Sequence, residues 1–120
     1  MVMIKDNHLL VANSMEDIIK NARKRHKHVE VEVENKRDAI LATSSGATIV
    51  MLDNFSPVQI KKTITALQKK KLRNKVKSEA SGGINSKNIT VYAKTGVDMI
   101  SVGSITNSVK GLYLSLEVIV

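Results

Sequence analysis

A run of alternating valine and glutamate, VEVEVE at residues 29–34, is the first candidate for chemistry in this sequence. Side chains alternate faces along a strand, so one face of this run carries only valine and the other only carboxylate. If helices cover the valine face, the glutamates point into the interior or the mouth of a barrel. Carboxylates there need cationic, metal or hydrogen-bonding partners. The alternative is an antiparallel strand with its glutamates in water, and the helices predicted on both sides argue against it.

A second carboxylate follows the next apolar run, residues 48–52. Asp53 and Asn54 come directly after that predicted strand, and a helix is predicted to begin a few residues later. Ligands of α/β folds bind at the carboxyl ends of the strands. Asp53 and Glu32 on the preceding strand therefore form a candidate pair of ligands for Mg²⁺ or for hydroxyl groups. The alternative is an aspartate that only caps a turn.

Two glycine turns are candidates for binding phosphate. Ser81-Gly82-Gly83 follows one predicted strand and leads to a helix that Asn85 is predicted to open, and Val102-Gly103-Ser104 ends the next strand. Glycine lets backbone N–H groups approach an anion closely, and a helix N-terminus adds positive potential. One such turn alone often serves only loop geometry. Two turns on successive strands favour a phosphate site, because barrels frequently use the last two loops together.

Other reactive side chains give weaker signals. Lys5, near the predicted end of a first strand, could pair with the acidic residues or with an anionic substrate, or could simply be solvated. The three histidines have no spacing typical of a zinc site. The sequence contains no cysteine, which excludes disulfides and thiolate metal sites.

The elements that must position these residues alternate along the chain. Helix starts are predicted at residues that cap helices: Ser14, Asn35, Ser56 and Asn85. Apolar runs at residues 1–4, 29–33, 48–52, 76–80 and 99–102 predict strands between them. Such alternation is typical of α/β folds with a parallel sheet. We expect a partial (β/α) barrel at residues 1–111, followed by an extra strand at residues 112–120. An open flavodoxin-like sheet is possible on strand count alone.

Bulk composition narrows the class of protein. The length of 120 residues and the apolar content of 42% suit one folded domain. The sequence predicts neither a membrane span nor a signal peptide, so we expect a cytoplasmic protein. The net charge is +8, with an acid-free basic stretch at residues 61–77. We interpret this stretch as a solvated helix face rather than a nucleic-acid surface, because aromatic residues make up only 2% of the chain.

Five segments in order resemble the C-terminal part of the barrel in the quinolinate phosphoribosyltransferase family: MIKDNH, EVEVEN, MLDNFSP, EASGGIN and TGVDMISVGSIT. The resemblance implies transfer of phosphoribose from phosphoribosyl pyrophosphate to quinolinate, with decarboxylation to nicotinate mononucleotide. It implies that Lys5 contacts anionic substrate and that Glu32 and Asp53 bind ribose hydroxyls and Mg²⁺. It implies that two loops hold the 5′-phosphate: Ser81, Gly82, Gly83, Val102, Gly103 and Ser104.

Two departures from the family pattern stand out. Asn107, within Thr106–Ser108, replaces a frequent histidine, and Tyr113 replaces a usual aspartate. The resemblance further implies that an N-terminal sandwich domain and the first barrel strands should precede this region. We therefore expect a homo-oligomer or a complementing chain. A non-catalytic remnant that binds only phosphate, a relative with another substrate, and a nucleic-acid-binding protein are the alternatives.

Overall fold

A computed structural model of the protein describes residues 1–5, 14–103 and 113–117. The strands in these ranges are β1 (Val2–Ile4), β2 (Val29–Val33), β3 (Ile49–Asp53), β4 (Lys77–Ser81), β5 (Met99–Gly103) and β6 (Tyr113–Glu117). The α-helices are α1 (Met15–Arg25), α2 (Lys36–Ser45), α3 (Pro57–Lys69) and α4 (Ile89–Ala93), and a 3₁₀ turn spans Arg73–Lys75. The predicted strands are confirmed with boundaries shifted by a residue or so.

All six strands belong to one sheet in the order β1-β2-β3-β4-β5-β6. The first five run parallel, while β6 pairs antiparallel with β5. A helix lies between each two consecutive parallel strands, because parallel neighbours need a crossover. The predicted α/β class and the extra C-terminal strand are confirmed.

The two faces of the sheet differ in chemistry. Val29, Val31 and Val33 are at most 1% exposed and belong to the core between the sheet and the helices. The core also contains Leu52 from β3 and Ile60 from α3. Burying an aliphatic side chain of this size stabilises the fold by about 1.5–3 kcal/mol. The valine face therefore packs on helices as predicted, and the glutamates are directed to the other face.

Three of the four predicted helix starts are confirmed by cap geometry. The side chains of Ser14, Asn35 and Ser56 each accept a hydrogen bond from the backbone N–H three residues on. Asn85 also makes the contacts of a cap: its Oδ1 accepts from the N–H of Lys87 and the N–H of Asn88, and its carbonyl accepts from the N–H of Ile89. The regular helix α4 nevertheless begins later than predicted, at Ile89. Within the described ranges, no helix combines the length and the apolar character needed to cross a membrane.

A polar cluster closes the end of the sheet where the strands begin. Asp98 Oδ2 accepts hydrogen bonds from Arg73 Nη2 at 2.9 Å, from Ser78 N at 2.7 Å and from Ser78 Oγ at 3.1 Å. Arg73 also donates to the carbonyls of Val76 and Gly96. We call Arg73, Ser78 and Asp98 the basal clasp. It ties the segment after α3 to the starts of β4 and β5.

Candidate functional site

A cavity of about 750 Å³ lies on the face of the sheet opposite the valines. Residues from β1 to β5 and from the loop after β4 line it. The lining includes most of the residues predicted for the site: Lys5, Glu32, Asp53, Ser81, Gly82 and Gly83. Folding therefore brings into one cavity residues that are widely separated in the sequence.

Glu32 and Asp53 reach the cavity from neighbouring strands. Glu32 pairs in register with Met51, and Asp53 lies two residues beyond Met51 on the same face of β3. Both side chains lie near the carboxyl ends of their strands. The two carboxylates that were predicted as a pair therefore lie on adjacent strands. Lys5 comes directly after β1, which neighbours the strand of Glu32.

Asp53 is oriented by two hydrogen bonds. Ser81 Oγ donates to Asp53 Oδ1 at 3.2 Å, and Asn54 Nδ2 donates to Asp53 Oδ2 at 3.3 Å. Carboxylate oxygens have two lone pairs each, so both oxygens retain the capacity to bind a hydroxyl or a cation. The two donors hold the carboxylate in one orientation at the wall of the cavity.

The loop after β4 depends on left-handed backbone at two successive glycines. Gly82 has φ of +87° and Gly83 has φ of +69°. A β-carbon on Gly82 would lie 2.3 Å from Asn54 Oδ1, whereas a β-carbon on Gly83 would meet no atom within 4 Å. The N–H of Asn54 donates to the carbonyl of Ser81 at 2.9 Å. The loop is therefore packed on the end of β3, with Gly83 beside open space in the cavity.

Some predicted features of the phosphate site differ in the structure. Val102 packs against the core and does not line the cavity, so the predicted contact of this loop with phosphate would have to come from its backbone, and it stays a prediction. Gly103 ends β5, while Ser104 and the Thr106–Ser108 segment lie outside the described residues. Because α4 begins only at Ile89 and has five residues, it does not contribute the predicted helix N-terminus. The glycine loop itself remains the candidate.

Sequence reasoning missed an acidic pair deeper in the cavity. Glu30 and Glu79 are 4% and 7% exposed, and their carboxyl groups share a hydrogen bond. Burial, the contact with Glu79 and the charge of Glu32 raise the pKa of Glu30 to about 8. Ser101 Oγ donates to Glu79 Oε1. Their positions in the sequence could have indicated this pair. Side chains alternate along a strand, and Glu79 and Ser101 occupy positions of β4 and β5 that face the cavity.

The carboxylates suit a magnesium ion that arrives with phosphate. Among the described residues, no group of three or more His, Cys, Asp or Glu side chains could hold a metal ion. Mg²⁺ is commonly bound by one or two carboxylates together with substrate phosphates and water, rather than by a complete protein cage. Glu32 and Asp53 are two carboxylates that could serve as ligands of this kind.

Comparison with known proteins shows the family. A family model described as quinolinate phosphoribosyl transferase, C-terminal domain, matches residues 1–117. A probable nicotinate-nucleotide pyrophosphorylase (carboxylating) of Methanothermobacter thermautotrophicus is 48% identical over 119 residues, covering 97% of this chain and 43% of the relative. The nicotinate-nucleotide pyrophosphorylase (carboxylating) of Homo sapiens is 37% identical over 120 residues, covering 98% and 40%.

Solved structures match as well. The nicotinate-nucleotide pyrophosphorylase from Francisella tularensis superposes with a TM-score of 0.78 at 40% identity, covering 91% of this chain and 38% of that one. The corresponding structure from Ehrlichia chaffeensis gives a TM-score of 0.76 at 36% identity, covering 89% and 38%. The chain thus spans less than half the length of the proteins it matches.

Proposed function

We propose a function from one premise: this chain belongs to the quinolinate phosphoribosyltransferase family, whose C-terminal domain model matches residues 1–117. We propose that it forms the phosphoribosyl pyrophosphate half of an active site. That site transfers phosphoribose to quinolinate and releases pyrophosphate and CO₂ to give nicotinate mononucleotide. The observation that carries the proposal is the shared cavity of Glu32, Asp53 and the glycine loop at the carboxyl ends of parallel strands.

Different residues of the cavity contact different parts of the substrate. Glu32 and Asp53 accept hydrogen bonds from the ribose hydroxyls, as acceptor-only groups suited to a diol. The backbone of Ser81, Gly82 and Gly83 approaches the 5′-phosphate, with the loop after β5 on the neighbouring strand. Lys5 neutralises a negative charge of the substrates at the mouth of the cavity.

The chemistry places positive charge where these carboxylates lie. The quinolinate nitrogen forms a bond to the anomeric carbon as the bond from that carbon to pyrophosphate breaks, so the ribose becomes oxocarbenium-like. Negative groups that are already oriented, such as Asp53, stabilise that charge without reorganising. The bond to the 2-carboxylate then breaks, CO₂ leaves, and a proton takes its place on the ring. Mg²⁺, held by Glu32 and Asp53 when bound, would supply neutralisation of the leaving pyrophosphate.

Groups outside the segment shared with the relatives complete the proposed site. The relatives are more than twice as long as the segment they share with this chain. We propose that a second copy or a complementing polypeptide completes the site and supplies groups that bind quinolinate. We further propose a cytoplasmic location, consistent with a sequence free of cysteine.

Two proteins test the proposal together. One is the 120-residue chain itself; the other is a chimera in which this chain replaces the matching 119 residues of the Methanothermobacter relative. We expect the chain alone to bind phosphoribosyl pyrophosphate with Mg²⁺ and to form no product. We expect the chimera to form nicotinate mononucleotide from quinolinate. A folded chimera without product would reject the proposed reaction, and binding without product in both proteins would favour a non-catalytic phosphate-binding module.

Variants of the carboxylates test the assigned roles. Glu32→Ala and Asp53→Ala should each weaken binding of Mg²⁺–phosphoribosyl pyrophosphate by at least about tenfold, because hydrogen bonds to charged groups contribute about 1.5–3 kcal/mol. Asp17→Ala removes an exposed carboxylate of α1 and is the matched control. Isothermal titration calorimetry measures all three. Unchanged affinity in both cavity variants would reject the assignment of Glu32 and Asp53.

A further inference from the structure

The acidic pair formed by Glu30 and Glu79 contains a buried oxygen with unmet bonding capacity. Glu30 Oε1 is buried and has no hydrogen-bond partner among the described residues. Glu79 differs, because its Oε1 accepts a hydrogen bond from Ser101. An unpaired buried oxygen of a carboxyl group is costly, so native proteins retain one only where a partner satisfies it.

The surroundings of the pair favour a cation as that partner. The same part of the cavity is lined by apolar side chains: Met3, Ile49, Met51 and Met99. Methionine and isoleucine offer no hydrogen-bond donor to Glu30. The charged groups that act on Glu30 are Glu79 and Glu32, both negative. Two carboxyl groups in apolar surroundings are stabilised by a positive charge between or beside them.

No basic side chain of the described residues donates a hydrogen bond to Glu30 Oε1. Lys5 is the one basic residue that lines the cavity within the described part of the chain. It follows Ile4, which pairs in register with Val31, so Lys5 lies level with Glu32 at the mouth. Glu30 lies two residues deeper on β2. Although both residues are largely buried, each contributes to the lining of the cavity, so a side chain that enters the cavity can approach them.

We infer that a lysine or arginine side chain, carried by the part of the family's chain outside this match, inserts into the cavity and binds the Glu30–Glu79 pair. The inference rests on the proposed function in one respect: the complementing part must complete the same barrel. Lysine and arginine suit the position because their long apolar stems can pack along the methionines while the charged end reaches the carboxyl groups. The contact would join the two parts of the protein through a buried ion pair.

A metal ion fits this position less well. Mg²⁺ requires close to six oxygen ligands and Ca²⁺ six to eight. The acidic pair is not part of any group of three candidate ligands in the described residues. The hydroxyl of Ser101 donates its proton to Glu79, so it faces the pair as a hydrogen-bond donor. A cationic side chain needs only the two carboxyl groups.

The test compares Glu30→Gln in the 120-residue chain and in the chimera. In the chain alone, the substitution removes an unpaired acid, so the unfolding midpoint in urea should stay the same or rise. In the chimera, the same substitution removes one partner of a buried ion pair. The unfolding equilibrium constant should then increase by at least about tenfold. Glu16→Gln makes the identical chemical change at an exposed ion pair and should change the unfolding equilibrium constant of either protein by less than about fivefold.

The reversal of sign between the two proteins is the diagnostic result, and it is independent of catalysis. If Glu30→Gln affects the chimera no more than Glu16→Gln does, the inference is wrong even when the chimera forms product. If a saturating rise in midpoint with Mg²⁺, Ca²⁺ or K⁺ disappears in Glu30→Gln, a metal ion occupies the pair and the inference is also wrong. A crystal structure of the chimera should place a lysine Nζ or an arginine guanidinium against Glu30 Oε1. Water or an apolar side chain there would overturn it.

Discussion

The side chain of Asn54 fills the space that a β-carbon at Gly82 would occupy, with Oδ1 only 2.3 Å from that position. The same asparagine donates to Asp53 Oδ2, and its backbone has φ of +58°. One residue therefore fixes both the carboxylate at the end of β3 and the course of the glycine loop after β4.

Gly82→Ala tests this contact. The substitution adds left-handed strain of about 1–2 kcal/mol and forces Asn54 to move. We expect it to destabilise the fold by more than that strain and to weaken phosphoribosyl pyrophosphate binding. Gly83→Ala is the matched control, because it also has positive φ but meets open space. Gly83 belongs to the proposed phosphate loop, so it serves as a control for stability only. Urea unfolding measures both variants, and an equal loss of stability at Gly82 and Gly83 would argue against a role for Asn54.

Combining Gly82→Ala with Asn54→Gly gives a sharper comparison. Glycine tolerates the left-handed backbone at position 54 and removes the clashing amide. The double variant should recover part of the stability lost in Gly82→Ala. It should not recover substrate affinity, because Asp53 has lost one of its two donors. Complete recovery of both would show that Asn54 acts only by occupying space.

Ser81→Ala should loosen Asp53 without changing the loop backbone. Ser81 Oγ donates to Asp53 Oδ1, so the variant removes one of the two hydrogen bonds that hold the Asp53 carboxylate in one orientation. We expect the affinity of the chimera for phosphoribosyl pyrophosphate to fall by about fivefold to thirtyfold, equivalent to one or two kcal/mol. The KM for quinolinate should change less. Ser44→Ala, at an exposed position on α2, is the control, and an equal loss in both would reject the role of Ser81.

The basal clasp should contribute to stability rather than to binding. Asp98→Asn weakens three hydrogen bonds to Oδ2, one of them from Arg73. Because this pair is only partly exposed, at 19% and 34% of its side-chain surfaces, we expect a loss of about 2 kcal/mol in urea unfolding. The exposed pair of Glu16 and Lys20 should contribute under about 1 kcal/mol. Similar losses at both pairs would contradict the assignment.

The stability of the 120-residue chain should depend on pH through Glu30. Its pKa is raised in the folded state from 4.5 to about 8, by burial and by the carboxyl groups of Glu79 and Glu32 that face it. The folded state therefore holds this proton more tightly than the unfolded state does. The stabilisation is complete below pH 4.5 and is lost as pH rises through about 8. Between these two pH values, the free energy of unfolding should fall by at most about 1.4 kcal/mol per pH unit.

Thermal unfolding between pH 5 and pH 9 checks this dependence. We expect the midpoint to fall as pH rises, and Glu30→Gln to flatten the curve because glutamine does not titrate. Glu16→Gln should retain the slope of the parent chain. A midpoint that rises with pH, or equal slopes in the parent and Glu30→Gln, would contradict the prediction.

Much of the fold was accessible from local sequence rules. The alternation of Val29, Val31 and Val33 fixed which face of β2 packs on helices, and the capping residues Ser14 and Ser56 fixed two helix starts. These features depend on residues close together in the chain. The parallel order of the strands follows from the same alternation of helices and strands, because a crossover helix returns the chain to the same edge.

The remaining features were less accessible from the sequence. Asn85 makes the predicted cap bonds to the N–H groups of Lys87 and Asn88, but how short the helix after it would be, Ile89–Ala93, was not predicted. Val102 lies beside a glycine turn, yet its position in the alternation of β5 turns it to the core. The contact between Glu30 and Glu79 joins strands that are separated by β3, so it could not be predicted from residues close together in the chain.

The basal clasp lies at the beginning of β4 and β5, whereas the candidate site lies where those strands end. Loops on the site side can therefore change composition while a separate set of bonds preserves the fold. A protein engineer could vary the residues around Gly83 to accept a different base or phosphate donor without drawing on the interactions of Arg73 and Asp98. The residues that would change with the ligand and the residues that stabilise the fold therefore lie at opposite ends of the strands.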